Sequence, residues 1–159
     1  MNLLSGLFLS LVQGVTEFVP VSSSGHLFLV QKLFSLPPSL SFTVFLHLAT
    51  LLVVLLYFQS RFDFLRQNFL YIILGSLPAG IIGLLFKDQI ETAFADPPLS
   101  VLFLITALLL VAARFLPVNN RPLNFFRALF IGLFQAVAIL PGISRSGATL
   151  FAASLVGLN

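Results

Sequence analysis

Cysteine is absent from the 159 residues, which rules out a disulfide framework or thiol chemistry and leaves the redox compartment unmarked. Charge is nearly absent too. Only 8% of residues are charged and 58% are apolar, whereas a soluble domain is about 25% charged. So few polar groups cannot cover a water-facing surface, and the chain needs lipid as its solvent. The basic residues that remain are scattered singly. A net charge of +3 without a basic face or stripe excludes nucleic acid as a partner. The start, Met1-Asn2-Leu3-Leu4, lacks the positive n-region of a secretory signal, and no A-x-A-like site follows. The first apolar stretch is therefore expected to stay in the protein.

What the chain does have is apolar length. No charged residue occurs from Leu33 to Ser60, from Gln67 to Phe86 or from Pro97 to Ala113. A bilayer core takes roughly 20 apolar helical residues to cross, so each window can span. The windows show no apolar/polar alternation, which favours helices over a barrel. Charge clusters and prolines place the spans near 39–59, 66–86 and 98–116, joined by loops. Counting Lys and Arg puts segments 60–66 and 114–127 in the cytoplasm and 87–97 outside.

The two ends behave differently. Residues 1–16 are uncharged but run into Glu17, Pro20 and Ser22-Ser23-Ser24-Gly25, and residues 128–144 run into Pro141-Gly142 and Arg145. Irregular backbone inside a membrane is tolerated only where protein or a wet cavity surrounds it. Both ends are therefore expected to be re-entrant helical hairpins, over 1–35 and 122–158, with turns near 18–24 and 141–145. They are also copies of each other. Laying Gly6–Gly25 on Ala128–Gly147, an offset of 122, gives eight identities in twenty. These include Gln13/Gln135, Ser22/Ser144, Ser24/Ser146 and Gly25/Gly147. Three spans separate the copies, so the second must insert upside down. Inverted repeats of broken helices build a site at the midplane. The predicted fold class is an all-α integral membrane protein of re-entrant hairpins plus transmembrane helices. It forms one membrane domain, 1–159, with repeat 1 over 1–121 and a partial repeat 2 over 122–159. A complete second repeat needs roughly 85 more residues.

Two charged residues lie inside the interrupted apolar segments, Glu17 and Arg145. Such residues pair or line a pathway, and the structural alternative here is a plain Glu17–Arg145 ion pair joining the hairpins. The turn Pro141-Gly142-Ile143-Ser144-Arg145-Ser146-Gly147-Ala148-Thr149 offers backbone amides at a helix start, which suit an anion, and a guanidinium fork for phosphate oxygens. Ser144, Ser146 and Thr149 either contact the ligand or serve as caps and interhelical hydrogen-bonding groups. Gln13 and Glu17, four apart, share a helix face and could hold a divalent ion with oxygens from a diphosphate. His26, one turn past Ser22 and Ser23, is placed to act as base toward a hydroxyl or water. His47, in a full span near Thr43 and Thr50, is expected to be structural.

The strings QGVTEFVPVSSSGHL and PGISRSGAT resemble the two signatures of the bacterial undecaprenyl-diphosphatase (bacitracin resistance) family. The first signature, [E/Q]-x-x-x-E with a serine-rich turn and His, is met at Gln13, Glu17, Ser22, Ser23 and His26. The second, P-G-x-S-R-S-x-x-T, is met at Pro141, Gly142, Ser144, Arg145, Ser146 and Thr149. The resemblance covers the whole chain, which is expected to be truncated at its C-terminus relative to the family. It implies hydrolysis of undecaprenyl diphosphate to the monophosphate, dependent on Mg²⁺ or Ca²⁺, which recycles the cell-wall lipid carrier in the bacterial plasma (inner) membrane as a multi-pass protein. On this reading His26, Ser23 and Glu17 are catalytic, with Ser23 or a water as the attacking group, Arg145, Ser22, Ser144, Ser146 and Thr149 bind substrate, and Glu17 with Gln13 are metal ligands. The partners would be a polyprenyl diphosphate and membrane lipids, with a homodimer left open. A phosphatidate-phosphatase-type enzyme is rejected, because no His follows Arg145 and the only Arg-Pro, Arg121-Pro122, lies after the S-G-H string. A lipid-carrier or anion transporter, or an inactive fragment of the phosphatase, is the alternative. A transporter would have use for Arg145 but not for a nucleophile.

Overall fold

The computed structural model describes residues 2–37, 39–117 and 119–158. Its regular elements among those residues are all helical: α1 (Leu3–Thr16), α2 (Ser23–Leu33), α3 (Leu40–Tyr57), a 3₁₀ turn (Gln59–Arg61), α4 (Phe62–Gln67), α5 (Phe69–Leu85), α6 (Lys87–Ala95), α7 (Leu99–Arg114), α8 (Phe125–Val137) and α9 (Arg145–Leu155). Large apolar side chains cover the outside, Leu3, Leu70, Leu84 and Phe126 among them. The buried residues form two small clusters, one around Leu9, Leu27 and Leu46 and one around Leu102, Ile143 and Ala148. Such an exterior suits lipid.

The three expected spans are helices α3, α5 and α7. Among the described residues no single helix is long and apolar enough to cross a membrane alone. Two bent pairs reach that length and composition only when taken together: α3 with α4, at 64°, and α5 with α6, at 80°. Here the structure corrects the sequence reading, which took 60–66 and 87–97 for loops. The charges that suggested loops also stabilise short helices. Asp88 sits in the first turn of α6, where the dipole favours an acid. Lys87 reaches Glu91 one turn on, at 3.7 Å. Asp96, just past α6, pairs with Lys32 on α2 at 2.8 Å, and that hydrogen bond and charge hold its carboxyl below the ordinary range.

The two hairpins, α1–α2 and α8–α9, carry the 122-residue offset into three dimensions. Asn2 caps α1 by accepting from the Ser5 amide, and Asn124 caps α8 by accepting from the Arg127 amide. Ser22 caps α2 through the Gly25 amide, and Ser144 caps α9 through the Gly147 amide. Past each second helix a residue takes positive φ, Ser35 at 49° and Gly157 at 76°. Beyond it the amides of Leu36 and Leu158 reach back to the carbonyls of Gln31 and Ala153, a Schellman-type stop. Every member of these pairs is 122 residues from its mate.

Helices in lipid are held by close packing rather than by hydrophobic burial, and the tightest place is the crossing of α5 and α8. A Cβ added to Gly132 would run into the Gly75 carbonyl, and one added to Gly75 would sit 3.3 Å from the Ala128 carbonyl. α7 lies along α9 and touches α2, so one helix braces both hairpins.

A candidate active site between two converging turns

The breaks between α1 and α2 and between α8 and α9 meet face to face. The Gly142 amide donates to the Ser22 hydroxyl at 3.1 Å. A Cβ on Gly25 would stand 2.8 Å from Gly142 Cα, and one on Gly147 would stand 3.4 Å from the Pro20 carbonyl. The offset maps the first contact onto the second, so a pseudo-twofold axis runs between the turns.

Beside this junction lies a cavity of about 640 Å³. The α2 end contributes Glu17, Ser22, Ser23 and Ser24, and the α9 end contributes Ser144, Arg145, Ser146 and Thr149. His47 from α3 and Gln135 from α8 join them, with an apolar rim that includes Val44, Leu48, Leu51 and Phe94. Two helices therefore start at the cavity. Their caps engage the third amide of each helix, and the first two amides of a helix have no helical carbonyl to bind. Each N-terminus carries about half a positive charge, and the Arg145 side chain, on an exposed residue, adds a full one. The Ser22 and Ser24 hydroxyls stand 3.4 Å apart and those of Ser144 and Ser146 3.1 Å apart. The Thr149 hydroxyl returns to the carbonyls of Arg145 and Ser146.

The acid lines the same cavity. Glu17 Oε2 accepts from the Ser23 hydroxyl at 2.5 Å and from Gln13 Nε2 at 3.1 Å. The same Gln13 nitrogen reaches the Thr50 hydroxyl at 3.4 Å, which ties α1 to α3 behind the carboxylate. His47 Nε2 approaches Glu17 Oε2 to 4.0 Å. His47 Nδ1 lies 2.8 Å from the Thr43 carbonyl. A carbonyl only accepts, so that nitrogen carries the hydrogen and Nε2 is left facing the cavity. Among the described residues no salt bridge joins Glu17 to Arg145. Both charges remain available to a ligand.

Of the residues singled out from the sequence, the structure brings Glu17, Ser22, Ser23, Ser144, Arg145, Ser146 and Thr149 onto one cavity. His26 does not line it. Its Nδ1 donates to the Ser22 carbonyl at 2.9 Å, and its ring packs on Phe103 with centroids 4.9 Å apart. Gln13 stands behind Glu17, 1% exposed. His47, expected from the sequence to be structural, lines the cavity instead, and the lining Gln135 was legible only as the repeat mate of Gln13.

The chemistry of the donors limits how a divalent ion could be held. Gln13 turns its NH₂ toward Glu17, so its oxygen faces elsewhere, buried and without a hydrogen-bond partner. Among the described residues no three His, Cys, Asp or Glu side chains cluster for a metal. What fits is an ion resting on the Glu17 carboxylate and on phosphate oxygens, the usual Mg²⁺ arrangement. Gln13 could join only by turning its amide over.

Residues 6–159 match the family of the bacitracin resistance protein BacA. A relative named undecaprenyl-diphosphatase from Methanococcus maripaludis strain C7 is 41% identical over 168 residues, covering 96% of this chain and 68% of the relative. One of the same name from Thermosipho africanus is 42% identical, covering 95% and 66%. Another from Carboxydothermus hydrogenoformans is 42% identical, covering 100% and 65%. The chain thus spans about two thirds of the length of these relatives. With residues of both signatures lining one cavity and likeness running the length of the sequence, the chain belongs to the bacitracin resistance protein BacA family.

Proposed function

We propose that the protein is a membrane-embedded phosphatase that hydrolyses undecaprenyl diphosphate to undecaprenyl phosphate and phosphate, returning the lipid carrier of cell-wall synthesis to use. The supporting observation is the Ser23 hydroxyl held 2.5 Å from the Glu17 carboxylate, in a cavity that Arg145 shares. A transporter has use for the arginine, but not for a hydroxyl set against a base.

The diphosphate lies between the two helix N-termini, with Arg145 forking onto its oxygens and the prenyl chain leaving along the apolar rim into lipid. Ser23 Oγ attacks the terminal phosphorus while its proton passes to Glu17. The bridging P–O bond breaks, and undecaprenyl phosphate departs with the electron pair. Water then attacks the phosphoserine, the Ser23 Oγ–P bond breaks, inorganic phosphate leaves, and Ser23 Oγ takes back the proton held by Glu17. Phosphoryl transfer depends on positioning and charge neutralisation, which two N-termini and one guanidinium supply. A positioned base contributes about 10²–10⁴-fold. Glu17 is the nearer acceptor than His26, whose mapped contacts are with the Ser22 carbonyl and Phe103. A Mg²⁺ or Ca²⁺ ion, held through Glu17, would neutralise further phosphate charge when bound. The cation-bearing segments 60–66 and 114–127 belong on the cytoplasmic side of the plasma (inner) membrane, which the chain crosses more than once.

The test is release of inorganic phosphate from undecaprenyl diphosphate by the purified chain in detergent. Ser23→Ala should abolish turnover. A measurable residual rate in a folded Ser23→Ala protein would mean that water attacks directly. Binding without phosphate release in the unaltered chain would favour a carrier for the same lipid.

A further inference from the structure

The five threonines whose hydroxyl bonds are mapped split into two kinds. Those of Thr16, Thr50, Thr92 and Thr149 turn back to carbonyls of their own helices, the usual habit of a helical threonine. Thr106, in the middle of α7, sends its hydroxyl across to the second turn instead. It donates to the Gly142 carbonyl at 2.9 Å and accepts from the Ser144 amide at 2.9 Å. Thr106 is 4% exposed and Ser144 2%, so water cannot substitute for it at either peptide group.

We infer that Thr106, which lies outside both signatures, is the positioning residue of the phosphate-binding turn. This rests on the phosphatase reading above. Its one hydroxyl satisfies two peptide groups that no helix or strand serves, and it fixes the chain on both sides of Ile143 just before Arg145 opens α9. One turn away on α7, Leu102 Cβ would stand 2.7 Å from a Cβ on Gly142, whose φ is +112°. Helix α7 thus shapes the turn by contact at Leu102 and by hydrogen bonding at Thr106. The first turn supplies the comparison. Among the described residues no such hydroxyl serves its equivalent positions, Pro20 and Ser22. Its cap Ser22 stands at φ 68°, in the left-handed region, while the cap Ser144 stands at φ −75°. The same Ser-x-Ser-Gly string takes two backbone forms, and the stapled one presents the arginine.

The experiment replaces Thr106 in the full chain by valine, which keeps the shape and removes the hydroxyl. Two buried peptide groups then lack partners. The turn loosens, and KM for undecaprenyl diphosphate should rise about 10-fold or more, with kcat within about threefold per folded molecule. Thr106→Ser should restore KM. Hydrogen exchange at the Ser144 amide should quicken in the valine variant and recover in the serine variant. An unchanged KM, including one with lowered kcat, would show a merely structural threonine and overturn the inference. If the valine variant does not accumulate, Thr106→Ala carries the same expectations with no added bulk. Absence of phosphate release from the unaltered chain would overturn the phosphatase reading instead, and Ser144 exchange would still decide whether the staple holds.

Discussion

Replacing Gly25 by alanine tests the meeting of the two turns directly. The new Cβ would stand 2.8 Å from Gly142 Cα, 2.9 Å from Gly142 N and 2.7 Å from the Phe103 ring edge. Carbon atoms rest at about 3.5–4.0 Å, so the neighbours must retreat by roughly 0.6–1.3 Å. Phe103 can rotate aside. Gly142 cannot, because the Ser22 and Thr106 hydroxyls hold its two peptide groups. The hairpins must separate instead, and the 3.1 Å bond from the Gly142 amide to Ser22 is then lost. Overpacking costs about 1–3 kcal/mol and the lost bond about 1, so Gly25→Ala should destabilise by roughly 2–4 kcal/mol. Because the shift falls between Ser23 and Arg145, kcat/KM should drop by about 10²-fold, the cost of a misplacement near 1 Å. Thermal unfolding in detergent and phosphate release read the two effects. Gly14 is the matched control. Nothing beyond its own helix backbone stands within 4 Å of its would-be Cβ, so Gly14→Ala should leave stability unchanged or raise it by about 0.5–1 kcal/mol. A Gly25→Ala protein that melts and turns over like the unaltered chain, or a Gly14→Ala protein that suffers equally, would refute the reasoning.

The other expectations concern separate elements. Gly132→Ala should force α5 and α8 apart at the Gly75 carbonyl and lower stability by about 1–3 kcal/mol, with turnover per folded molecule retained; thermal unfolding beside active-site titration separates the two. Arg145→Lys keeps the charge but turns a planar fork into a point, so kcat/KM should fall about 10-fold or more, and kinetics like those of the unaltered chain would reduce Arg145 to a structural role. His47→Ala should lower turnover with little effect on melting, whereas His26→Ala should act mainly on melting through the Ser22 turn. The reverse pattern would return the base to His26.

Much of this was legible in the sequence, and the rest was hidden for identifiable reasons. Apolar runs broken by charge gave α3, α5 and α7, because lipid enforces length and composition together. Proline, glycine and the repeated Ser-x-Ser-Gly gave both hairpins. Helices α4 and α6 were missed because charge was read as loop, although the i,i+4 pair Lys87–Glu91 was there to see. His47 could not have been found that way. Its ring bonds locally to the Thr43 carbonyl, and its approach to Glu17 exists because Gln13 and Thr50, 37 residues apart, dock α1 on α3. Thr106 is hidden in the same way: its hydroxyl matters through residues 36 and 38 positions later. Sequence periodicity reports which element a residue belongs to, and tertiary packing decides which distant residue it meets.

The repeat also explains how one architecture yields two kinds of chemistry. The offset lays Ser23 on Arg145, each the first residue of its helix, and Glu17 on Ile139. A strictly symmetric site would offer two serines or two arginines. Divergence at one pair of positions gives a hydroxyl from one hairpin and a cation from the other, across the same junction. The placement is costly for the folded chain alone. Arg145 stands at the positive end of α9, and Glu17 caps the negative end of α1. Each is the unfavourable arrangement, worth about 0.3–1 kcal/mol, and no salt bridge between them offsets it among the described residues. A pair kept only for stability would be placed the other way round or brought into contact. On the phosphatase proposal, a diphosphate seated between the two N-termini would reverse the balance at Arg145, and the Ser23 hydroxyl already eases it at Glu17. On that proposal the two charges are arranged for a ligand rather than for each other.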